Sequence, residues 1–335
     1  MMFSACIQPD NLVFFIEPGE SILDAALKQG FDFSYGCQQG VCGTCAAKLT
    51  QGKISYPHID PIGLEEDEDH NDFILLCGAV PESDIELHHA GVSAPWQLPI
   101  KKASYQLISM HNLSPKVVQL FLKPATMDFI HFQAGQYVEL FTEDGEHRPF
   151  SIANTPNAEG NVELHVHHTA DNIFSTKILS LLAEQKTLLL EGPFGRCIYR
   201  KGLSLPLVFV AGGTGFTHSK AIIEHMIESA PNTPIHLFWG AKTPDDLYMN
   251  ELPLRWQKEL PSFRYTPTIS RPDNSLIWQG KTTTLPKLVT ELYPDLTDTL
   301  FYVSGSAPLV QEMLRHAQEH GLKRAFFFSD LLDLM

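Results

Sequence analysis

The sequence predicts a multidomain α+β and α/β chain in three parts: a small mixed segment, an antiparallel β-barrel and a doubly wound parallel domain. Three observations carry this. Three cysteines crowd into the run YGCQQGVCGTC, with a fourth at Cys77. Residues 103–200 read as evenly spaced short strands with turn residues between them, the mark of a small barrel. From Leu203 onward, near-continuous apolar strands alternate with helices, as parallel strands covered on both faces require.

The first segment opens with FSACIQP and NLVFFIEP, two β-rich stretches split by a turn, which predict a hairpin. Ser21 is placed to cap the helix SILDAALKQG, and Gly30 to stop it. The cysteine loop follows, and then AAKLTQGKISY as one strand. Cys37, Cys42 and Cys45 are spaced C-x4-C-x2-C, and Cys77 lies 32 residues further on. This is the plant-type ligand spacing for a 2Fe-2S cluster: a tight loop presents three thiolates and a distant strand end supplies the fourth. Gly36, Gly40 and Gly43 stand between the ligands, where main-chain N–H groups must come close to sulfur. The alternatives are ordinary buried thiols or a disulfide pair, and structural zinc, which prefers two paired C-x2-C arms.

A proline-containing linker at about 88–102 separates this part from the barrel. In the barrel, HRPFSIANTP (147–156) combines a phosphate-suited guanidinium, Arg148, with a flat ring, Phe150, and a short hydroxyl, Ser151. A second strand, LHVHHT, and a helix start, DNIFST, complete the look of a flavin site, with Ser175 at the helix N-terminus near a pyrophosphate. In the third part, VFVAGGTGFT ends a strand and opens a helix, so Gly212, Gly213, Thr214 and Gly215 suit a diphosphate. A second strand end, YVSGSAP, faces the same crevice at the sheet's carboxyl edge. The boundaries drawn are 1–92, 101–200 and 203–335.

Charge adds a functional constraint. The net charge is −15, from 24 basic and 39 acidic residues. Residues 1–95 carry 15 acids against Lys28, Lys48 and Lys53, a net of −12. This disfavours nucleic acid and suits a basic protein partner for the redox segment. The run Glu65–Asp69 by itself reads as a solvated loop. No apolar run reaches the length of a membrane span, and the N-terminus shows no secretory pattern. Six cysteines are too few for a disulfide scaffold, so Cys6 and Cys197 are expected as reduced thiols in a cytoplasmic protein.

The first segment resembles the β-grasp ferredoxins. The ordered series CQQGVCGTC with Cys77, AGQYVEL, RPFS, GPFG, AGGTGF and YVSGS resembles the ferredoxin-NADP reductase superfamily, with a ferredoxin domain fused at the N-terminus. Two branches are most similar: the reductase components of bacterial oxygenases, and CDP-6-deoxy-delta-3,4-glucoseen reductases, whose SIANTPNAEGNVELHV and terminal FFFSD wording this chain shares. The resemblance implies electron transfer from NADH or NADPH through FAD and the 2Fe-2S cluster to a protein acceptor, a sugar dehydratase or an oxygenase component. It implies that Arg148, Phe150 and Ser151 hold the flavin, that Val166 and His167 line it, and that Ser175 contacts its pyrophosphate. Gly212, Gly213, Thr214, Gly215 and Gly305 would hold the nicotinamide nucleotide. Ser151, Ser304 and Asp330 would act where hydride passes. A free-flavin or ferric reductase and a non-catalytic redox sensor are the alternatives.

The chain departs from the superfamily pattern at several points. Ser304 stands where a cysteine is frequent, Thr217-His218 where a small residue and a proline are usual, and Thr283 where a glycine is common. Phe150 replaces a tyrosine. Lys242 without an arginine pair favours NADH, whereas Arg271 counts toward NADPH if it lies close by.

Overall fold

The computed structural model describes residues 2–64, 72–89, 92–169, 171–185, 187–200, 203, 205–271, 278 and 280–333. The acidic run 65–69 therefore lies outside the described residues. The chain divides into two compact units, Met1–Gln97 with Arg200–Ser204, and Leu98–Tyr199 with Leu205–Met335. The barrel and the parallel sheet thus share one unit. Arg200 belongs to the first unit, where its guanidinium lies 3.9 Å from the centre of the Trp96 ring.

In the first unit, β1 (Phe3–Gln8) and β2 (Leu12–Ile16) form the expected hairpin. Helix α1 (Ile22–Lys28) is capped by Ser21, whose hydroxyl accepts the Asp24 N–H at 3.1 Å. Strands β3 (Ala46–Gln51), β4 (Ile54–Ser55), β5 (Phe73–Leu75), β6 (Val80–Pro81) and β7 (Ile85–His88) follow. The main sheet runs β2-β1-β7-β3-β5, with β1 and β7 parallel. The single strand expected over AAKLTQGKISY is instead two, because the chain turns at Gly52 (φ +98°) and β4 pairs with β6 in a separate sheet. A Cβ at Gly52 would lie 2.5 Å from the Asp84 carbonyl, so the turn is tight against its neighbour.

The second unit begins with β8 (Lys101–Ser114), β9 (Val117–Pro124), β10 (Tyr137–Phe141), β11 (His147–Ser151), β12 (Val162–His167), helix α2 (Ile173–Gln185) and β13 (Thr187–Phe194). All pair antiparallel in the order β11-β10-β13-β8-β9-β12. A bridge between Ile152 and Leu164 brings the two ends of this sheet together, closing the expected barrel. Leu120, Leu122, Val138, Leu140, Leu164 and Leu190 fill it, and Ile178 and Leu182 of α2 pack on the same core.

Strands β14 (Leu207–Gly212), β15 (Ile235–Ala241), β16 (Phe263–Ile269), β17 (Leu300–Ser304) and β18 (Phe327–Phe328) form a parallel sheet ordered β16-β15-β14-β17-β18. The intervening helices are α3 (Phe216–Ser229), α4 (Glu251–Glu259), α5 (Leu285–Leu292) and α6 (Ala307–Glu319), and α7 (Asp330–Asp333) closes the described chain. Strand order reverses between β14 and β17, which puts the switch-point crevice at their carboxyl ends. Pro244–Asp246 is a separate short turn, capped by Thr243, and α4 starts only at Glu251.

One buried cluster joins the barrel to the parallel sheet. Lys220 of α3, 5% exposed, donates to the Ala153 carbonyl (3.0 Å), to Glu163 (3.1 Å) and to Glu224 (2.9 Å). Burial would raise the Glu163 carboxyl, but His165 and the Lys220 ammonium outweigh it and bring it down to about 2. Burial keeps His165 below its usual range, so its ring is neutral at pH 7. His165 Nε2–H then donates to Glu163 at 2.8 Å and its Nδ1 accepts from the Tyr248 hydroxyl at 3.1 Å. Lys220→Met would leave the buried Glu163 carboxylate, and the partly exposed Glu224, without their cation, at a cost of about 3–5 kcal/mol. For a unit this size that lowers the melting temperature by roughly 6–20 °C, which calorimetry will read; Glu163→Gln, which leaves Glu224 on the ammonium, should lower it less. Because the Glu163 carboxyl titrates near 2 here against 4.5 normally, its stabilisation is complete above pH 4.5 and fades as pH falls toward 2.

Candidate functional site

The cysteine loop lies between α1 and β3. It turns through Gln38 (φ +54°), Gly40 (φ +74°) and Gly43 (φ +72°). Gly40 is a required glycine: a Cβ there would stand 2.5 Å from the Asp60 carbonyl, and its own carbonyl takes the Gly63 N–H at 2.8 Å. Main-chain N–H groups point at sulfur, Cys37 N–H to Cys42 Sγ and Gln39 N–H to Cys37 Sγ, both at 3.4 Å. The Cys37 N–H, helped by the hydroxyl and N–H of Thr44, brings the exposed Cys42 thiol down to about 6. Burial pushes Cys45, which lies beside Cys77, up to about 11.

The four thiols therefore form two pairs, Cys37 with Cys42 at the surface and Cys45 with Cys77 beneath. Among the described residues no three His, Cys, Asp or Glu side chains gather as for a single metal ion. Two pairs of thiols ringed by N–H donors fit a binuclear cluster, which takes two protein ligands on each iron.

Two cavities open at the carboxyl edge of the parallel sheet. The larger, about 560 Å³, is lined by Gly212, Gly213 and Thr214, by Gly240 to Lys242 at the end of β15, and by Thr283 to Pro286. Gly213 sits at φ +55° with no heavy atom within 4 Å of where a Cβ would stand. That is a bare main-chain cradle at the start of a 14-residue helix, whose positive end favours an anion. Gly215 is held from the other side: a Cβ there would meet the Ser304 carbonyl at 2.5 Å. Trp239 Nε1–H donates to the Gly213 carbonyl at 2.9 Å, and its ring stacks on Phe216 at 3.9 Å. These contacts fix the cradle rigidly, as a diphosphate site needs.

The smaller cavity, about 210 Å³, is lined by Tyr137, Pro149 and Ser151 from the barrel and by His218, Ser304, Gly305 and Asp330 from the parallel-sheet part. Ser304 Oγ–H donates to the Gly215 carbonyl at 2.7 Å. One oxygen of Asp330 accepts the N–H groups of Arg196 and Cys197, both at 2.9 Å.

The expected site residues thus separate. Ser151, Ser304, Gly305 and Asp330 converge on the smaller cavity, and Gly212, Gly213, Thr214 and His167 line the larger. Arg148 and Phe150 project from β11 on the face opposite Ser151; Phe150 stacks on Phe174 at 6.1 Å, and exposed Arg148 pairs with Glu146 at 3.0 Å. Val166 points into the barrel core. Ser175 is fully buried, its hydroxyl donating to the Asn172 carbonyl and meeting the His168 ring, so it faces neither cavity. Thr283 needs no glycine conformation, since Asn11 and Gln38 are the non-glycine residues at positive φ among those described. Arg271 N–H donates to the Lys242 carbonyl at 2.9 Å, which brings the two cations to neighbouring strand ends.

Sequence reasoning missed Tyr248 and the Lys116–Asp246 ion pair (2.8 Å) at the larger cavity, and Trp239 behind its cradle. Their signal was a tryptophan in a strand and a tyrosine in the segment after it, which read equally well as core.

Geometry of this kind defines a flavin- and nicotinamide-dependent reductase with an attached iron–sulfur module. Family models agree along the chain: the 2Fe-2S iron-sulfur cluster binding domain matches residues 7–82, the oxidoreductase FAD-binding domain 104–199 and the oxidoreductase NAD-binding domain 209–315. CDP-6-deoxy-L-threo-D-glycero-4-hexulose-3-dehydrase reductase of Yersinia pestis is 32% identical over 98% of both chains. Reductase component 2 of terephthalate 1,2-dioxygenase from Comamonas sp. is 31% identical, covering 97% of this chain and 96% of its own. A cytochrome P450 reductase of Amycolatopsis shares the fold, with TM-score 0.64 and 23% identity over 98% of both chains. The chain belongs to the ferredoxin-NADP reductase-like family of 2Fe-2S reductases, and it is an NAD(P)H-dependent oxidoreductase working through FAD and a 2Fe-2S cluster.

Replacing Cys42 by serine should abolish the cluster's visible absorption while the flavin bands remain. Cluster absorption at full strength in the variant would remove Cys42 from the ligand set.

Proposed function

We propose that this chain is the reductase partner of a separate protein acceptor, of the dehydrase or oxygenase-component kind that its relatives' names describe. The observation that carries the reading is the convergence of Ser151, Ser304, Gly305 and Asp330 on one cavity beside the glycine cradle. When bound, NAD(P)H supplies the hydride, and FAD and the cluster carry its electrons onward.

The chain's own residues do the rest. The cradle of Gly212, Gly213, Thr214 and Gly215 binds the nucleotide diphosphate through main-chain N–H groups. Ser151 offers its hydroxyl to the flavin ring, Ser304 holds the cradle's last carbonyl in place, and Asp330 fixes the 196–197 main chain at the cavity wall. Arg148, the exposed cation on β11, binds the flavin's phosphates, with Phe150 and the 166–167 main chain beside it, and Ser175 orders the turn into α2. Cys37, Cys42, Cys45 and Cys77 hold the cluster, and the exposed Cys37–Cys42 edge within an acidic segment suits a basic acceptor. Lys242 lines the larger cavity and Arg271 follows the neighbouring strand end, which supports a nucleotide with a 2′-phosphate against the NADH preference drawn from Lys242 alone. The boundaries 1–92, 101–200 and 203–335 remain our functional division. Six cysteines, four of them given to the cluster, support a cytoplasmic location, and no helix among the described residues is long and apolar enough to cross a membrane.

Anaerobic titration of the purified protein tests the whole. Flavin and iron–sulfur bands should bleach together, at lower NADPH than NADH; bands that persist with either nucleotide would sink the reading. Arg148→Ala should lower flavin retained through gel filtration by about tenfold in affinity, the worth of a charge-assisted contact to phosphate, and unchanged flavin content would remove Arg148 from the site.

A further inference from the structure

His218 occupies the first turn of α3, where the family resemblance puts a proline, and it lines the 210 Å³ cavity with Ser151, Ser304 and Asp330. It is 3% exposed. Its Nε2 lies 2.9 Å from the Cys197 carbonyl. A carbonyl only accepts, so Nε2 carries a proton, and in that imidazole tautomer the lone pair is on Nδ1. Nδ1 is buried and has no hydrogen-bond partner among the described residues. A buried acceptor left unpaired costs about 1–3 kcal/mol, so such an atom beside a cavity calls for a partner. The neighbouring side chains are committed elsewhere: Ser304 gives its proton to the Gly215 carbonyl, and Asp330 receives two main-chain N–H groups.

We propose that His218 is a ligand-binding residue of this cavity, its Nδ1 accepting a hydrogen bond from an amide or imide N–H on the cofactor ring that lies there. The proposal rests on the reading that this cavity takes cofactor rings. Two rings carry that chemistry, the carboxamide of nicotinamide and the imide of the flavin. A proline at this position offers no side-chain acceptor, so the contact is this chain's own.

The test compares His218→Gln with His218→Asn in the full, flavin-loaded protein. Glutamine reaches the Nε2 position and keeps a donor for Cys197; asparagine keeps an acceptor near Nδ1. Calorimetry gives the affinity for oxidised NAD(P) and for its 3-acetylpyridine analogue, which lacks the amide N–H. Gel filtration gives flavin retention. If the partner is nicotinamide, the wild-type protein prefers the amide nucleotide by roughly tenfold, glutamine erases the preference, asparagine recovers part of it, and flavin content holds. If the partner is the flavin, glutamine loses flavin, asparagine retains it, and any nucleotide preference is unchanged. A glutamine variant that keeps both the wild-type nucleotide preference and its flavin overturns the proposal. Wild-type protein that binds neither ligand overturns the cavity reading and the proposal with it.

Discussion

The ammonium of Lys220 fixes the geometry of everything around it. It is buried between a barrel carbonyl and two carboxylates, and it opens the second turn of α3. Moving that turn would strand a charge in the interior, so the start of the helix is set by electrostatics rather than by propensity. The glycine cradle immediately precedes it. So both cavities are measured from one pinned helix start, with the Trp239–Phe216 stack as the second pin. The neutral His165 and the Tyr248 hydroxyl, which burial keeps well above its usual range, extend the cluster to the wall of the larger cavity. A hydrogen-bonded chain therefore runs from barrel to crevice with every proton accounted for.

The iron–sulfur unit solves a different problem. Its loop must hold main-chain donors against sulfur, and helices or strands cannot do that. Positive φ at Gln38, Gly40 and Gly43 supplies the curvature, and the Gly63 N–H on the Gly40 carbonyl braces it from outside. The result is asymmetric. One thiol pair is exposed with a lowered Cys42, and the other is buried with a raised Cys45, so metal binding must release a proton from Cys45 at neutral pH.

How far the sequence could be read follows from which residues had a local signature. Cysteine spacing, strand periodicity and the turn from β14 into α3 are local patterns, and they yielded the barrel, the parallel sheet and the cradle directly. The convergence of Ser151 with Ser304 and Asp330 was legible only through the ordered motifs, since these residues are remote in the chain. What escaped was set by packing. The strand over AAKLTQGKISY looked continuous because Gly52 declares its turn only against the Asp84 carbonyl. Ser175 read as a phosphate contact because no local pattern shows that its hydroxyl is spent on Asn172 and His168. Val166 read as a flavin contact although strand alternation turns it into the core, between His165 and His167. Lys220 gave no signal, because a lysine among helix residues is ordinarily solvated.

The departures from the family pattern share one physical character. Where the family resemblance puts a cysteine, Ser304 gives a hydroxyl that donates to the Gly215 carbonyl, a stronger bond than a thiol offers. Where it puts a small residue and a proline, Thr217 meets the Tyr248 hydroxyl at 3.4 Å and His218 meets the Cys197 carbonyl. A proline would preset the first turn through its fixed φ. This chain reaches the same fixed turn with side-chain hydrogen bonds from α3 and β17, each worth about 1 kcal/mol. Read singly, these substitutions look like erosion of a nucleotide site. Read together in the structure, they are an alternative bracing of the same helix start, and they leave the cradle itself bare and open.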